Sequence, residues 1–232
     1  RWEELYRDTG TGKEEGLSID RGTGKTIIDW KKRKGVNEQF LYYSCLGYML
    51  SLIRNHNLFD ILFDKSLTAE RLKKYDVLIL PNSACLNEKE RETIKDFVRN
   101  GGNLIASFET GFYDEKGCPV ADEEWKSLLG IEKVEGLLPC YITGNYLTAK
   151  ESFAGFEKGQ LIESPTYSLR VKARNGIQTP LFHIKPLKSY YMPLEGISDS
   201  PALLMGKYGK GKVVYCPASF ESLYGEYRID SP

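Results

Sequence analysis

Histidine is almost absent: His56 and His183 stand alone in 232 residues. That excludes a metal centre built on several imidazoles and leaves few candidates for a histidine base. The five cysteines, Cys45, Cys85, Cys118, Cys140 and Cys216, are odd in number, widely spaced and free of any CxxC pair. Such a pattern builds neither a disulfide framework nor a zinc site. They read instead as small buried apolar side chains or loop thiols, and unpaired thiols favour the cytoplasm. Neither sign of charge is in excess, since Lys plus Arg and Asp plus Glu number 32 each. No overall field draws in nucleic acid or an anionic membrane, so neither is expected as a partner. No apolar run reaches the roughly 18 residues of a membrane span, and the opening RWEELYRDTG lacks the apolar core of a signal peptide. No cofactor or metal is expected from any motif. A chain that opens at Arg1 and stops at Ser231 and Pro232 reads as a piece of a longer protein.

What is present is ordinary for a folded domain, with 41% hydrophobic and 28% charged residues. Residues 1–35 are polar and glycine-rich and read as a lead-in or linker, and 36–232 as one α/β domain that turns β-rich after about residue 131. The RGTGKT run invites a phosphate-binding loop, but the position that needs the first glycine is Ile19. IIDW at 27–30 suits a short strand. The stretch QFLYYSCLGYMLSLIRNH, 39–56, is apolar on nearly every side and is expected as a helix packed on more than one face.

Phe59 to Phe63 (FDILF) reads as a short apolar strand, and Thr68 caps a brief helix through AERLKKY. DVLILP, 76–81, is a continuous apolar run of the kind covered on both faces in a parallel sheet. Asn87 with Glu90 three residues later opens a helix by a capping box, and Gly101 is placed to end it. NLIASF, 103–108, follows as a strand, so strand, helix and strand make a parallel crossover. A further helix is expected over 122–129, burying Trp125, Leu128 and Leu129 ahead of Gly130. Later runs, LIES, YSLRVKA and LFHIK, are short strands, and PALLMGKYGKGKVVYCPAS is a hairpin.

The strand NLIASF ends in FETGFYDEKG, the place where many α/β enzymes set a nucleophile on a tight elbow. In the glutamine-amidotransferase-like version of this layout the nucleophilic cysteine falls close to Phe108 or Glu109, and no cysteine stands there. Ser107 and Thr110 carry hydroxyls but need a base with an orienting partner. His56 is better placed as a helix C-terminal cap and His183 as a strand-face residue. Cys85, after LILPNSA, is the remaining thiol candidate, one crossover too early for an elbow. Glu109, Asp114 and Glu115 cluster at the carboxyl edge where open α/β sheets bind ligands, with Phe112 and Tyr113 able to stack on a sugar or a neighbouring domain. DEKG also reads as a plain turn.

The run YDVLILPNSACLNEKERETIKDFVRNGGNLIASFETGFYDEKGCP, closed by WKSLLGI, spans residues 75–131 and resembles the β-galactosidase trimerisation domain and related domains of glycoside hydrolases. Pro81, Asn87, Gly101, Gly102, Thr110, Gly111, Asp114, Glu115, Leu128, Leu129 and Gly130 carry the resemblance, and KYGKGKVVYCPASF is similar to a late strand of that family. The resemblance implies a flavodoxin-like, class I glutamine-amidotransferase-like fold, a mostly parallel sheet flanked by helices, without the catalytic cysteine. It further implies a non-catalytic accessory domain beside a (β/α)8 barrel, serving oligomerisation or the shaping of a carbohydrate site. The GFYDE loop, with Glu109, Thr110, Phe112, Tyr113, Asp114 and Glu115, is then the expected exposed ligand or interface surface. Two other readings are an amidotransferase-like thiol enzyme using Cys85 with His183 or His56, and a carbohydrate-binding module.

Overall fold

A computed structural model describes residues 38–138, 145–164, 168–185, 194 and 196–227, with two short strands, β1 (Leu17–Ile19) and β2 (Thr26–Ile28), that pair antiparallel. β2 takes in the start of the IIDW stretch. The rest of the 1–35 lead-in, including the RGTG glycines, and Cys140 lie outside the described residues.

The elements with strong local signals form where the sequence places them. Helix α1 covers Glu38–Arg54 and the single turn α2 covers Ala69–Leu72, whose cap Thr68 accepts from Arg71 N at 3.3 Å. Strand β3 (Val77–Leu80) leads to α3 (Glu88–Arg99), which opens with both capping-box bonds, Glu90 N to Asn87 Oδ1 at 2.9 Å and Asn87 N to Glu90 Oε2 at 2.8 Å. Strand β4 (Asn103–Ser107) then runs parallel to β3. Helix α4 (Glu123–Leu128) follows, with Asp122 as its cap and Gly130 at φ 77° beyond its end.

After it come β5 (Ile131–Leu138), β6 (Asn145–Ala149), β7 (Leu161–Ser164), β8 (Ser168–Ala173), β9 (Leu181–Ile184) and β10 (Ile197–Pro201). The hairpin β11 (Leu204–Tyr208) and β12 (Gly211–Cys216) precedes the last described helix, α5 (Phe220–Tyr227). The main sheet has the order β11-β12-β4-β3, with β12, β4 and β3 parallel and β11 antiparallel at one edge. A second, antiparallel sheet has the order β10-β9-β6-β7, and β5 pairs with β8. The fold is thus mixed α/β with a parallel centre, and the larger core cluster gathers on that centre with Ile94, Val98, Leu104, Phe108, Trp125 and Tyr215.

Two glycine motifs far apart in sequence meet beside the start of β4. Lys210 N donates to Arg99 O at 3.1 Å and Lys212 N to Asn103 Oδ1 at 3.1 Å. A Cβ on Gly211 would sit 2.0 Å from Gly102 O, and Gly209 turns the hairpin at φ 58°. The hairpin tip therefore reaches the end of α3 only because these positions carry no side chain.

Three expectations are corrected. The FDILF stretch is no strand: residues 57–63 carry no regular structure, and Leu58, Phe59, Ile61 and Phe63 are exposed. Among the described residues no strand pairs with it, and a short strand is not stable alone. β3, expected under cover on both faces, buries Leu78 and Leu80 but leaves Ile79 half-buried and Val77 exposed. Helix α1 is not buried all round. Its deepest residues are its smallest, Ser44 and Gly47, because α5 approaches so closely that a Cβ on Gly47 would lie 1.8 Å from Glu221 O. Its large side chains flank that contact half-exposed.

Candidate functional site at the carboxyl edge of the parallel sheet

The residue after β4 has the strained backbone of an elbow. Phe108 adopts φ 48°, a region costly for any side chain other than glycine, and Phe108 N donates to Cys216 O at 2.8 Å. Its carbonyl accepts from Tyr215 Oη at 2.5 Å, and its ring is fully buried in the core. The position closest to that of a nucleophile therefore holds an apolar ring pointing inward. No atom there can attack a carbonyl or a sugar.

The two hydroxyls beside it are held in place by the fold. Ser107 Oγ accepts from Asn82 N at 3.0 Å and donates to Glu221 Oε1 at 2.5 Å, and both serine and carboxylate are buried. Thr110 Oγ1 accepts from Ser83 N at 3.1 Å and lies 2.7 Å from Ser107 O. Neither meets a histidine. His56 is exposed at φ 54° in the C-terminal turn of α1, where His56 N donates to Ile53 O and Asn57 N to Leu52 O. His183 is buried in β9 with Nε2 2.9 Å from Ser168 Oγ, and burial lowers its pKa to about 3. It stays neutral and packed in the second sheet.

Cys85 is not activated as a nucleophile. Burial, then Asp114 and Glu109, push its thiol up to about 12, so the thiolate a nucleophile needs is disfavoured. The thiol and Glu115 both line an open cleft of about 610 Å³ with Asp64, Thr68, Lys89 and Glu90, a wall of mixed charge.

The GFYDE loop was expected at the surface, and half of it lies inside. Glu109, Thr110 and Tyr113 are buried, Phe112 and Asp114 are half-buried, and Glu115 is exposed. The cause is a second loop, residues 82–86, that lies alongside it. Gly111 N donates to Ser83 O at 2.9 Å, Tyr113 N to Ala84 O at 3.0 Å and Leu86 N to Tyr113 O at 2.9 Å. From the other side Trp125 Nε1 donates to Thr110 O at 2.8 Å. A Cβ on Gly111 would fall 2.4 Å from the Trp125 ring, and its φ of 73° adds a second reason for glycine. Asp114 spends its carboxylate on the turn, accepting from Lys116 N and Cys118 N at 2.8 Å each.

Two residues outside the sequence-based set complete the edge. Asn82, at φ 45°, accepts weakly from Glu109 N at 3.4 Å, and its place directly after Pro81 is the signal a turn-forming asparagine leaves. Glu221 is buried beside Ser44, Cys45 and Tyr48 of α1, Cys216 of β12 and Ser219, and burial raises its carboxyl to about 7 despite the Ser107 bond. Nothing in the spacing of SFESLYGEY marks it as buried. Among the described residues no group of three or more His, Cys, Asp or Glu is arranged to hold a metal, and no helix is long and apolar enough to cross a membrane.

These features define a class first: a mixed α/β domain with parallel strands at its centre and a buried phenylalanine on the strained turn that follows β4. Comparison with known proteins then gives the relatives. Residues 56–139 match the family described as the β-galactosidase trimerisation domain, so the resemblance drawn from 75–131 holds over a longer stretch. The chain is 45% identical over 47 residues to β-galactosidase BgaB of a Geobacillus species, a match that takes in 20% of this chain and 7% of that relative. Its fold is similar to that of a β-galactosidase from Bacillus circulans sp. alkalophilus, at a TM-score of 0.64 and 17% identity over 81% of this chain and 26% of the other. A β-galactosidase from Rahnella sp. R3 gives 0.61 and 18% over 80% and 27%. The chain thus spans about a quarter of the length of the solved relatives.

Proposed function

We propose that this chain is a non-catalytic accessory domain of a glycoside-hydrolase-like protein, acting in subunit assembly or in walling a carbohydrate site built by an adjoining (β/α)8 domain. The observation that carries the reading is Phe108, a buried ring on the strained turn where an active relative of this layout would need a nucleophile. The raised Cys85 thiol and the neutral His183 in another sheet argue the same way. The three parallel strands with a strained turn at the end of β4 support a flavodoxin-like, glutamine-amidotransferase-like fold, with residues 36–232 as its domain. In this reading the outer part of the loop, Phe112, Asp114 and Glu115, faces the partner or the sugar, while Glu109, Thr110 and Tyr113 hold its shape. Assay of the chain against a panel of aryl β-galactosides is expected to give no turnover above the buffer blank. Robust turnover that survives repurification would sink the proposal.

A further inference from the structure

Helix α1 meets the rest of the described chain mainly through α5. Two glycines make the contact close: besides Gly47, Gly225 lies so near α1 that a Cβ on it would fall 2.2 Å from Tyr43 O. At the exposed side Arg54 donates to Tyr224 Oη at 2.6 Å, with its guanidinium 5.2 Å from the centre of the same ring. The two helices therefore form one unit. Leu169 N donates to Pro217 O at 3.0 Å, Ser168 bridges Ala218, and Phe220 packs on the smaller core cluster. The chain is thus pinned up to the first residue of α5, and the next, Glu221, fastens the helix to the end of β4 through Ser107.

The neighbours of this carboxyl offer no counter-charge. Ser44, Cys45 and Tyr48 face it from α1, Ser107 from β4, Cys216 from β12 and Ser219 from the lead into α5. Burial pushes up both thiols and the phenol, so they stay protonated near neutrality. Ser44 and Ser219 also act on the carboxyl, but neither buried hydroxyl reaches hydrogen-bonding geometry. An ionised Glu221 needs water, and the contact at Gly47 and Gly225 is too tight to admit it unless α5 moves.

We infer that α5 is a proton-held latch: protonated Glu221 keeps the α1 and α5 pair seated on the end of β4, and ionised Glu221 lifts the pair from the sheet edge into water. The device is independent of the function proposed above, and both helices lie outside the family match at 56–139. The seated carboxyl, raised to about 7 from 4.5, holds its proton below that pH, and the stabilisation is lost as pH rises through it. With an open-state value near 4.5, the ratio of seated to open forms should fall about tenfold between pH 6 and pH 8.

Hydrogen exchange on the full chain over pH 5 to 9 tests it, read as protection factors so that the intrinsic pH dependence of exchange cancels. The expected result between pH 6 and pH 8 is a fall of about tenfold in the amides of α1 and α5, with β4 unchanged and no fall in Glu221→Gln. Protection that stays level in the parent chain, falls equally in Glu221→Gln, or falls in β4 as well overturns the latch. Should Glu221→Gln melt early, Ser107→Ala is scored instead. It removes a bond that favours the ionised carboxyl, so the fall should move to higher pH, and an unmoved midpoint overturns the latch.

Discussion

Two apolar stretches of similar length, FDILF at 59–63 and NLIASF at 103–108, each end in phenylalanine, and the two rings have opposite fates. Phe108 is fully buried in the larger core cluster, whereas Phe63 is 74% exposed. Local composition does not separate them. What differs is the neighbours: β4 gains a parallel strand on both sides, while FDILF pairs with no described strand. Burial in a sheet is thus a property of pairing, and a stretch with strand-like residues stays irregular where pairing is absent.

The sharpest test of that contrast is truncation of the two rings. Phe108→Ala should cost about 3–5 kcal/mol in urea unfolding, the range for emptying a buried aromatic site. A loss below about 1 kcal/mol would mean that the core around the elbow is loose. Next in size is the acid beneath α5. Glu221 has a folded pKa of about 7 against an ordinary value of 4.5, so the folded state binds the extra proton. Its stabilising contribution is whole below about pH 4.5, falls as pH rises toward 7 and is gone above it, a swing of about 3 kcal/mol. Glu221→Gln should remove that swing, so unfolding curves at pH 5 and pH 8 should show the variant gaining on the parent as pH rises. Parallel curves would place Glu221 in a wetter site. At the small end, Phe63→Ala should change monomer stability by less than about 0.5 kcal/mol, measured at a concentration low enough to exclude assembly.

Local chemistry made much of the fold legible. Capping at Thr68 and Asn87 and the stops at Gly101 and Gly130 are written within a few residues of where they act, and each forms as expected, while Asp122, read as the first residue of its helix, is instead its cap. The loop was harder to read. Whether Glu109 and Tyr113 face water depends on backbone bonds to residues 82–86, and no side-chain pattern records those bonds. Glu221 was harder still, because its partner Ser107 is 114 positions away. The half-exposed state of α1 misled for a related reason: hydropathy weighs large side chains, and here the tight contact is made by Ser44 and Gly47.

The meeting of the Gly101 and Gly102 pair with the Gly209 to Gly211 turn has a consequence for the order in which the chain folds. The first parallel crossover, β3 to β4, closes locally, but β4 acquires its other neighbour only from β12, through contacts such as Asn103 with Lys212 that are 109 positions apart. Closing so long a loop costs entropy before any reward, which makes this the slow step. During synthesis the segment 56–139 would therefore wait as a half-built sheet, with β4 open along one edge, until the last hairpin emerged and docked.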